Sequence, residues 1–335
     1  MAAHAFDGVL SVIGNTPLVA LTRGAPVPGR RFLAKLESFN PGGSIKDRTA
    51  LAMLRERIRD GSLRRGRSVV VESSSGNLAI GLAQICRYFG IRLICVVDPK
   101  TTRQHLATLN AYRAEIEVVA APDPVTGEYL PARIRRVREI VASTPDAFWP
   151  NQYANPLNPA AHQETMREIA DALDGRVDYV FCAVSSCGTL RGCAEYIAER
   201  GMATRIVAVD ALGSAIFGET TPARRLIPGH GAAHRPALFA EGLADEVVHV
   251  SDLDCVAACR LLADQEALLV GGSSGAVFAA AAKIAERFPE GTRCVLIFPD
   301  AGARYLDTIY SDDWVTAHFG AVPAGDTGRT VASCR

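Results

Sequence analysis

Three times in this chain a short apolar run stops at a cluster of Gly, Ser and Asn that opens directly into a helical pattern. Arg31 to Glu37 (RFLAKLE) leads to Asn40-Pro41-Gly42-Gly43-Ser44-Ile45-Lys46-Asp47-Arg48, Ser68 to Glu72 (SVVVE) leads to Ser73-Ser74-Ser75-Gly76-Asn77, and Arg176 to Val184 leads to Ser185-Ser186-Cys187-Gly188-Thr189. With Ile91–Val97, Thr101–Ala111 and Glu115–Ala120 continuing the alternation, the pattern is βαβ, which implies parallel sheets covered by helices, with the polar turns at strand carboxyl ends. The first turn delivers a lysine. Asp47 to Asp60 has apolar residues at helical spacing (Leu51, Leu54, Ile58) before Gly61 closes it, so Lys46 stands at a strand-to-helix junction and can point into a cleft. Desolvation there lowers an ammonium pKa and leaves a free amine able to attack an aldehyde. The chain has only three other lysines: Lys35 within a strand, Lys100 ending one, and Lys283 among helical alanines. Lys46 is therefore the candidate covalent anchor.

The other turns read as anion sites. N–H groups at a helix N-terminus are unpaired and carry positive partial charge, so Ser73–Asn77 and Ser185–Thr189 both suit a phosphate or carboxylate. For Ser73–Asn77, capping of the following helix is an equal reading. In Ser185–Thr189 small residues at every position let backbone N–H groups converge on one anion, with Cys187 serving as a small residue. Neither loop is a G-x-G-x-x-G fingerprint or ends in Gly-Lys-Ser/Thr, so nothing asks for a dinucleotide or a nucleoside triphosphate. Gly271-Gly272-Ser273-Ser274-Gly275 precedes an alanine-rich helix, and the amide-rich Asn151–Pro156 precedes a helix whose His162 reads as a packed residue. A helix after Pro122-Asp123-Pro124 carries Arg133, Arg135, Arg136 and Arg138, a solvated face from which one arginine can turn inward toward an acidic substrate. Residues 224–232 show no periodicity, and the tail from Ala321 is expected to fray.

Composition narrows the class. At 335 residues and 48% hydrophobic the chain has room for two domains. Its 36 basic and 36 acidic residues leave no electrostatic footprint for nucleic acid or an anionic membrane. No apolar run approaches the roughly 20 residues of a membrane span. Nine cysteines without a CxxC pair or a His/Cys cluster indicate neither a disulfide framework nor a metal site, and fit a reducing cytoplasmic setting. One anchoring amine, a phosphate-type loop and Ser-rich loops at strand ends together suggest pyridoxal phosphate.

The motifs NPGGSIKDR, SSSGN, NQYANPLNPAAH, SSCGT and GGSSGA, in that order, resemble the cysteine synthase and cystathionine β-synthase family. The resemblance implies an α/β chain of the tryptophan-synthase β-like fold, type II among pyridoxal-phosphate enzymes, with two doubly wound domains and commonly a homodimer. Residues 1–43 with 147–320 then form the large cofactor domain, 44–146 a small mobile substrate domain, and 321–335 a flexible tail. By position, Lys46 matches the Schiff-base lysine and Asn77 the amide on the cofactor's ring hydroxyl. Ser185, Ser186, Cys187, Gly188 and Thr189 match the phosphate loop, Ser273 the hydroxyl facing the pyridine nitrogen, and Ser74, Ser75 and Gln152 the positions holding the substrate carboxylate.

The departures narrow the choice of reaction. The family usually reads Thr-Ser-Gly-Asn-Thr-Gly in the substrate loop, whereas this chain reads Ser74-Ser75-Gly76-Asn77-Leu78-Ala79. ESSSGNL, GEYLPARI, NQYANP and DTIYSDDW more closely resemble the branch that joins O-phospho-L-serine to L-glutamate through an aminoacrylate in 2,3-diaminopropionate biosynthesis. On that resemblance Arg133 is the candidate for recognising the anionic groups, with Tyr153 and Ser185 lining the pocket. Two alternatives stand beside it: a cysteine synthase using O-acetylserine or O-phosphoserine with sulfide, and an inactive cofactor-bound partner protein. The complete set Lys46, Asn77 and Ser273 argues against the second. A neutral hydroxyl at Ser273 leaves the pyridine ring a weaker electron sink than a carboxylate would. Ser273→Asp is therefore expected to slow release of the β-substituent more than Ser273→Ala does; equal rates for Ser273→Asp and wild type would remove the electronic argument.

Overall fold

The structure, a computed structural model, describes residues 8–218 and 225–320. In chain order the elements are β1 (Leu18–Ala20), β2 (Arg31–Leu36), α1 (Lys46–Arg59), β3 (Val69–Ser73), α2 (Asn77–Phe89), β4 (Arg92–Val97), α3 (Arg103–Ala111), β5 (Glu115–Val118), α4 (Tyr129–Ser143) and β6 (Ala147–Phe148). They continue with α5 (Leu157–Ala172), β7 (Tyr179–Ala183), α6 (Gly188–Glu199), β8 (Arg205–Ala211), β9 (Glu246–Val250), α7 (Asp252–Glu266), α8 (Gly272–Ile284), β10 (Arg293–Phe298) and α9 (Asp312–Phe319). A six-stranded sheet has the order β1-β2-β10-β7-β8-β9, antiparallel only where β1 pairs with β2. A four-stranded parallel sheet has the order β5-β4-β3-β6.

Parallel strands covered on both faces are apolar throughout, and each sheet here is a filling between helices. In the large sheet Phe32, Phe181 and Leu296 pack under α7 and α8, while Leu33, Val180 and Val295 face Met166 and Ile169 of α5 and Leu190 of α6. In the small sheet Val70, Leu93 and Cys95 meet α1 and α2, and Val69, Val71 and Val96 meet Val137 and Ile140 of α4. The polar turns consequently gather at the carboxyl ends of β2, β3, β7 and β10, where open α/β sheets bind ligands.

The strands and helices read from the sequence are present, with ends shifted by one to three residues for local reasons. Glu37 leaves the β2 ladder for a 3-10 turn, and α3 begins at Arg103 because Thr102 is its cap, its hydroxyl accepting from the His105 N–H at 3.2 Å. Two short strands were not legible. Leu18–Ala20 reads as an apolar run yet edges the large sheet, and Ala147–Phe148, immediately after the boundary drawn at 146, pairs with β3 in the small sheet. Residues 225–232 form an irregular loop, while residue 224 and the expected tail lie outside the described residues. Among the described residues no helix is long and apolar enough to cross a membrane.

One buried ion network ties α1 to the large sheet. Arg48 donates from Nε and Nη2 to both oxygens of Glu37 at 2.7 and 2.9 Å, and from Nη1 and Nη2 to both oxygens of Glu168 at 2.6 and 2.7 Å. Lys35 donates to Glu168 at 2.6 Å and to the Thr16 carbonyl at 2.7 Å. Burial opposes the charge on Arg48, but the two carboxylates outweigh it and hold the guanidinium above its ordinary pKa. Burial likewise opposes the charge on Glu168, and Arg48 and Lys35 overcome it, holding the carboxyl at about 2.

Removing one partner of such a network strands buried charge. Arg48→Met is expected to cost about 3–5 kcal/mol, read as a lowered urea midpoint. The Glu168 pKa is depressed, so its contribution is complete above the unfolded value of 4.5 and fades as pH falls toward 2. Glu168→Gln should flatten the stability profile in that window; an unchanged slope would exclude Glu168 as its source.

Candidate active site

Lys46 opens α1 where two glycines make the turn possible. Gly43 has φ +81°, a left-handed conformation, and the Gly42 N–H donates to Asp47 Oδ2 at 2.5 Å, close enough that a Cβ at Gly42 would strike that carboxylate. Lys46 is half-buried in a cleft lined by Asn77, Ser185–Thr189, Ser273 and Asp300. Burial lowers its amine pKa against the opposing charges of Asp300 and Glu37. The other lysines are occupied: Lys35 in the buried network, Lys283 against Asp254 at 2.8 Å, and Lys100 over the Tyr129 ring at 5.3 Å. Burial also raises the Asp47 carboxyl to about 7. His162 is a packed residue, fully buried, with Nε2 3.1 Å from Thr49 Oγ1, and burial takes its pKa well below the ordinary value.

Across the cleft the Ser185–Thr189 loop turns into α6. Cys187 adopts φ +65° and gives α6 no side-chain cap, which leaves backbone N–H groups at the helix start facing the cleft. Gly188 passes so near the Asn158 amide that a Cβ there would collide with it. Burial pushes the Cys187 thiol up to about 12, consistent with a small packing residue and not a nucleophile. An uncapped helix start beside small residues, facing an amine whose pKa burial lowers, is a donor set that fits a phosphorylated aldehyde. Ser273, in the first turn of α8, lines the same cleft.

The sequence reading passed over the residues that hold Asn77. Its Nδ2 donates to Asp300 Oδ2 at 2.7 Å, its Oδ1 accepts from Arg304 Nη1, and Arg304 Nη2 donates to the Gly42 carbonyl. Tyr305 donates to the same Asp300 oxygen at 2.5 Å, while Asp300 Oδ1 has no partner. Arg304 thereby links the lysine turn, the α2 start and the chain after β10. Burial raises the Asp300 carboxyl, opposed by Tyr305, Asn77, Arg304 and Lys46. The signal that was available was a polar turn, Pro299-Asp300-Ala301-Gly302, at the end of an apolar strand.

The substrate-side candidates are more dispersed. Ser74 Oγ accepts from the Gly76 and Ala79 N–H groups at 3.5 and 3.2 Å, so its hydroxyl caps α2, while Ser75 is half-buried beside it. Gln152 is buried, its N–H 3.3 Å from Glu72 Oε2 and its carbonyl accepting from Asn158 at 2.8 Å. Glu72, also unanticipated, joins the ends of β3 and β6 by accepting from Trp149 Nε1 at 2.9 Å, and burial raises it to about 7. Of the four arginines on α4, Arg133 turns inward. It lies 3.3 Å from Asp98, yet its Nε and Nη1 have no hydrogen-bond partner. Burial raises the Tyr153 phenol and the nearby Arg133 charge opposes that rise. Tyr153 and Ser185 line a second recess, which adjoins the cleft at Ser185.

Residues 9–300 match the family described as pyridoxal-phosphate dependent enzyme. The N-(2-amino-2-carboxyethyl)-L-glutamate synthase of Ralstonia nicotianae is 43% identical over 318 residues, covering 95% of this chain and 93% of that protein. The enzyme of the same name from Cupriavidus metallidurans is 43% identical over 333 residues, covering 98% and 97%. Among solved structures, a cysteine synthase from Entamoeba histolytica superposes with a TM-score of 0.85 at 33% identity over 92% of each chain. The chain belongs to the pyridoxal-phosphate dependent enzyme family, within its β-substituting branch of cysteine synthase-like fold, and its cofactor is pyridoxal phosphate.

Proposed function

We propose that the chain catalyses β-replacement on O-phospho-L-serine with L-glutamate as the amine nucleophile, releasing phosphate and forming N-(2-amino-2-carboxyethyl)-L-glutamate. The observation that carries the substrate pair is Arg133, a buried guanidinium with two unpartnered nitrogens beside Tyr153, in an enzyme related to synthases named for that product. Asp98 lies 3.3 Å from Arg133, and the buried donors left without hydrogen-bond partners carry a desolvation cost that an anionic ligand recovers.

When bound, the cofactor supplies an aldehyde for covalent attachment and a sink for electrons from the broken Cα–H bond. Lys46 Nζ holds the cofactor and, once released from it, takes the substrate α-proton, a role that its lowered pKa supports. Asn77, oriented from both sides by Asp300 and Arg304, would hold the ring hydroxyl; the α6 start with Ser185, Ser186, Cys187, Gly188 and Thr189 would take the cofactor phosphate, and Ser273 would serve the pyridine nitrogen. Ser74, Ser75 and Gln152 receive the substrate carboxylate through their backbone and remaining donors. Overall one C–O bond breaks, phosphate leaves, one C–N bond forms, and the glutamate amine loses a proton. We further place residues 44–146 as a mobile substrate domain, and the enzyme as a cytoplasmic homodimer. The eight described cysteines, all free and buried, support the reducing compartment.

The reading is tested by supplying O-phospho-L-serine or O-acetyl-L-serine with glutamate or sulfide and identifying products. A product formed with sulfide and never with glutamate would replace it with a cysteine synthase. Borohydride reduction should fix the cofactor to the peptide carrying Lys46, and Lys46→Ala should retain none covalently; a label on Lys35, Lys100 or Lys283 would refute the anchor. Arg133→Ala removes charge-assisted hydrogen bonds worth roughly 1.5–3 kcal/mol each, so kcat/KM should fall about tenfold or more with cofactor attachment intact. A loss of less than twofold would remove Arg133 from substrate binding.

A further inference from the structure

The recess beside the cofactor cleft encloses about 520 Å³, within the range of small-molecule sites. One wall is α4, where Pro131, Ile134 and Arg138 recur at helical spacing and share a face; the other is the loop bearing His234 and Arg235. Tyr153 and Ser185 also line it, and Ser185 lines the cofactor cleft as well, so the two cavities adjoin at that residue. The cations at its rim differ. Arg135 is paired with Asp123 at 2.7 Å and Arg235 with Glu241 at 3.2 Å. Arg138 has no carboxylate within ion-pair distance among the described residues, and its recorded neighbour is the Trp149 ring at 5.9 Å. Behind the same helix Arg133, nine-tenths buried and 3.3 Å from Asp98, keeps two nitrogens without a hydrogen-bond partner, and its charge acts on Tyr153.

The geometry points to this recess as the binding site of the amine nucleophile, with Arg138 as the specificity-determining contact for the side-chain carboxylate of an acidic amino acid. The assignment rests on the β-replacement reading above and says where its second substrate sits. An amino acid entering with its amine toward Ser185 lies with its methylene groups between Ile134 and Pro236 and its distal carboxylate at the cationic rim. Arg138 stands exposed at the rim, and its guanidinium suits bidentate pairing with a carboxylate. Discrimination between L-glutamate and its uncharged isostere L-glutamine then comes from Arg138.

The test is steady-state kinetics of the holoenzyme with O-phospho-L-serine and either L-glutamate or L-glutamine, for wild type, Arg138→Ala and Arg138→Lys. In Arg138→Ala the KM for glutamate should rise tenfold or more while that for O-phospho-L-serine moves less than twofold. The preference for glutamate over glutamine should collapse toward unity, and Arg138→Lys should restore part of it. A merely structural role would raise both KM values together and leave the preference standing, which overturns the assignment, as does an unchanged KM for glutamate. If wild type consumes O-phospho-L-serine with sulfide and with neither amino acid, the reading of glutamate as nucleophile fails first and this assignment with it.

Discussion

The hold of Glu37 and Glu168 on Arg48 sets the first turn of α1, and the position of the reactive amine follows from it. Lys46 and Arg48 are two residues apart and meet opposite environments. Arg48 keeps its charge because two carboxylates engage all three of its nitrogens in bidentate geometry, which an arginine fork suits and a lysine point charge does not. Lys46 faces a cleft in which burial outweighs the more distant Asp300 and Glu37, and its pKa falls. One helix start thus carries a structural cation and a reactive amine, divided by the neighbours each meets: the cleft for Lys46, Glu37 and Glu168 for Arg48.

The cleft works because chain segments far apart in sequence end at one place. β2, β3, β7 and β10 run parallel within their sheets, and their carboxyl ends deliver Lys46, Asn77, the Ser185–Thr189 loop and Asp300 to one cavity. Arg304 then crosses between the two sheets, donating to the Gly42 carbonyl and to Asn77, while Asp300 receives Asn77 and Tyr305. Both ends of the Asn77 amide are engaged, which removes its freedom to flip. That fixed orientation is what a contact to a planar aromatic ring requires.

How much of the site was readable depends on how local each signal is. Lys46, Asn77, Ser273 and the phosphate-type loop were legible because a strand, a small-residue turn and a helix start are contiguous in sequence. Arg133 was singled out by the GEYLPARI resemblance, residue type alone leaving it one of four arginines. Its spacing with Val137 and Ile140 puts it on the buried stripe of α4, a periodicity that distinguishes it from Arg135, Arg136 and Arg138. Glu72, Asp300 and Arg304 carried no such periodicity. Each is a charged residue among ordinary neighbours, and its importance comes from partners across the fold: Trp149 for Glu72, Asn77 for Asp300 and Arg304. Ser74 shows the converse, since the loop offered capping and anion binding equally and the hydroxyl caps α2.

By itself the sequence determined the alternation of strands and helices, the parallel sheets that alternation implies, and the lysine and serine turns at strand ends, because these rest on hydrophobic period and turn chemistry within about ten residues. Only the tertiary structure decided which cation has its pKa lowered by burial and which has it held up by carboxylates, how Arg133 packs inward, and that a second recess, lined by an arginine without a carboxylate partner among the described residues, opens beside the first. Those outcomes depend on burial and on distances between side chains separated by tens to hundreds of residues, and desolvation and pairing energies exist only once those side chains have been brought together.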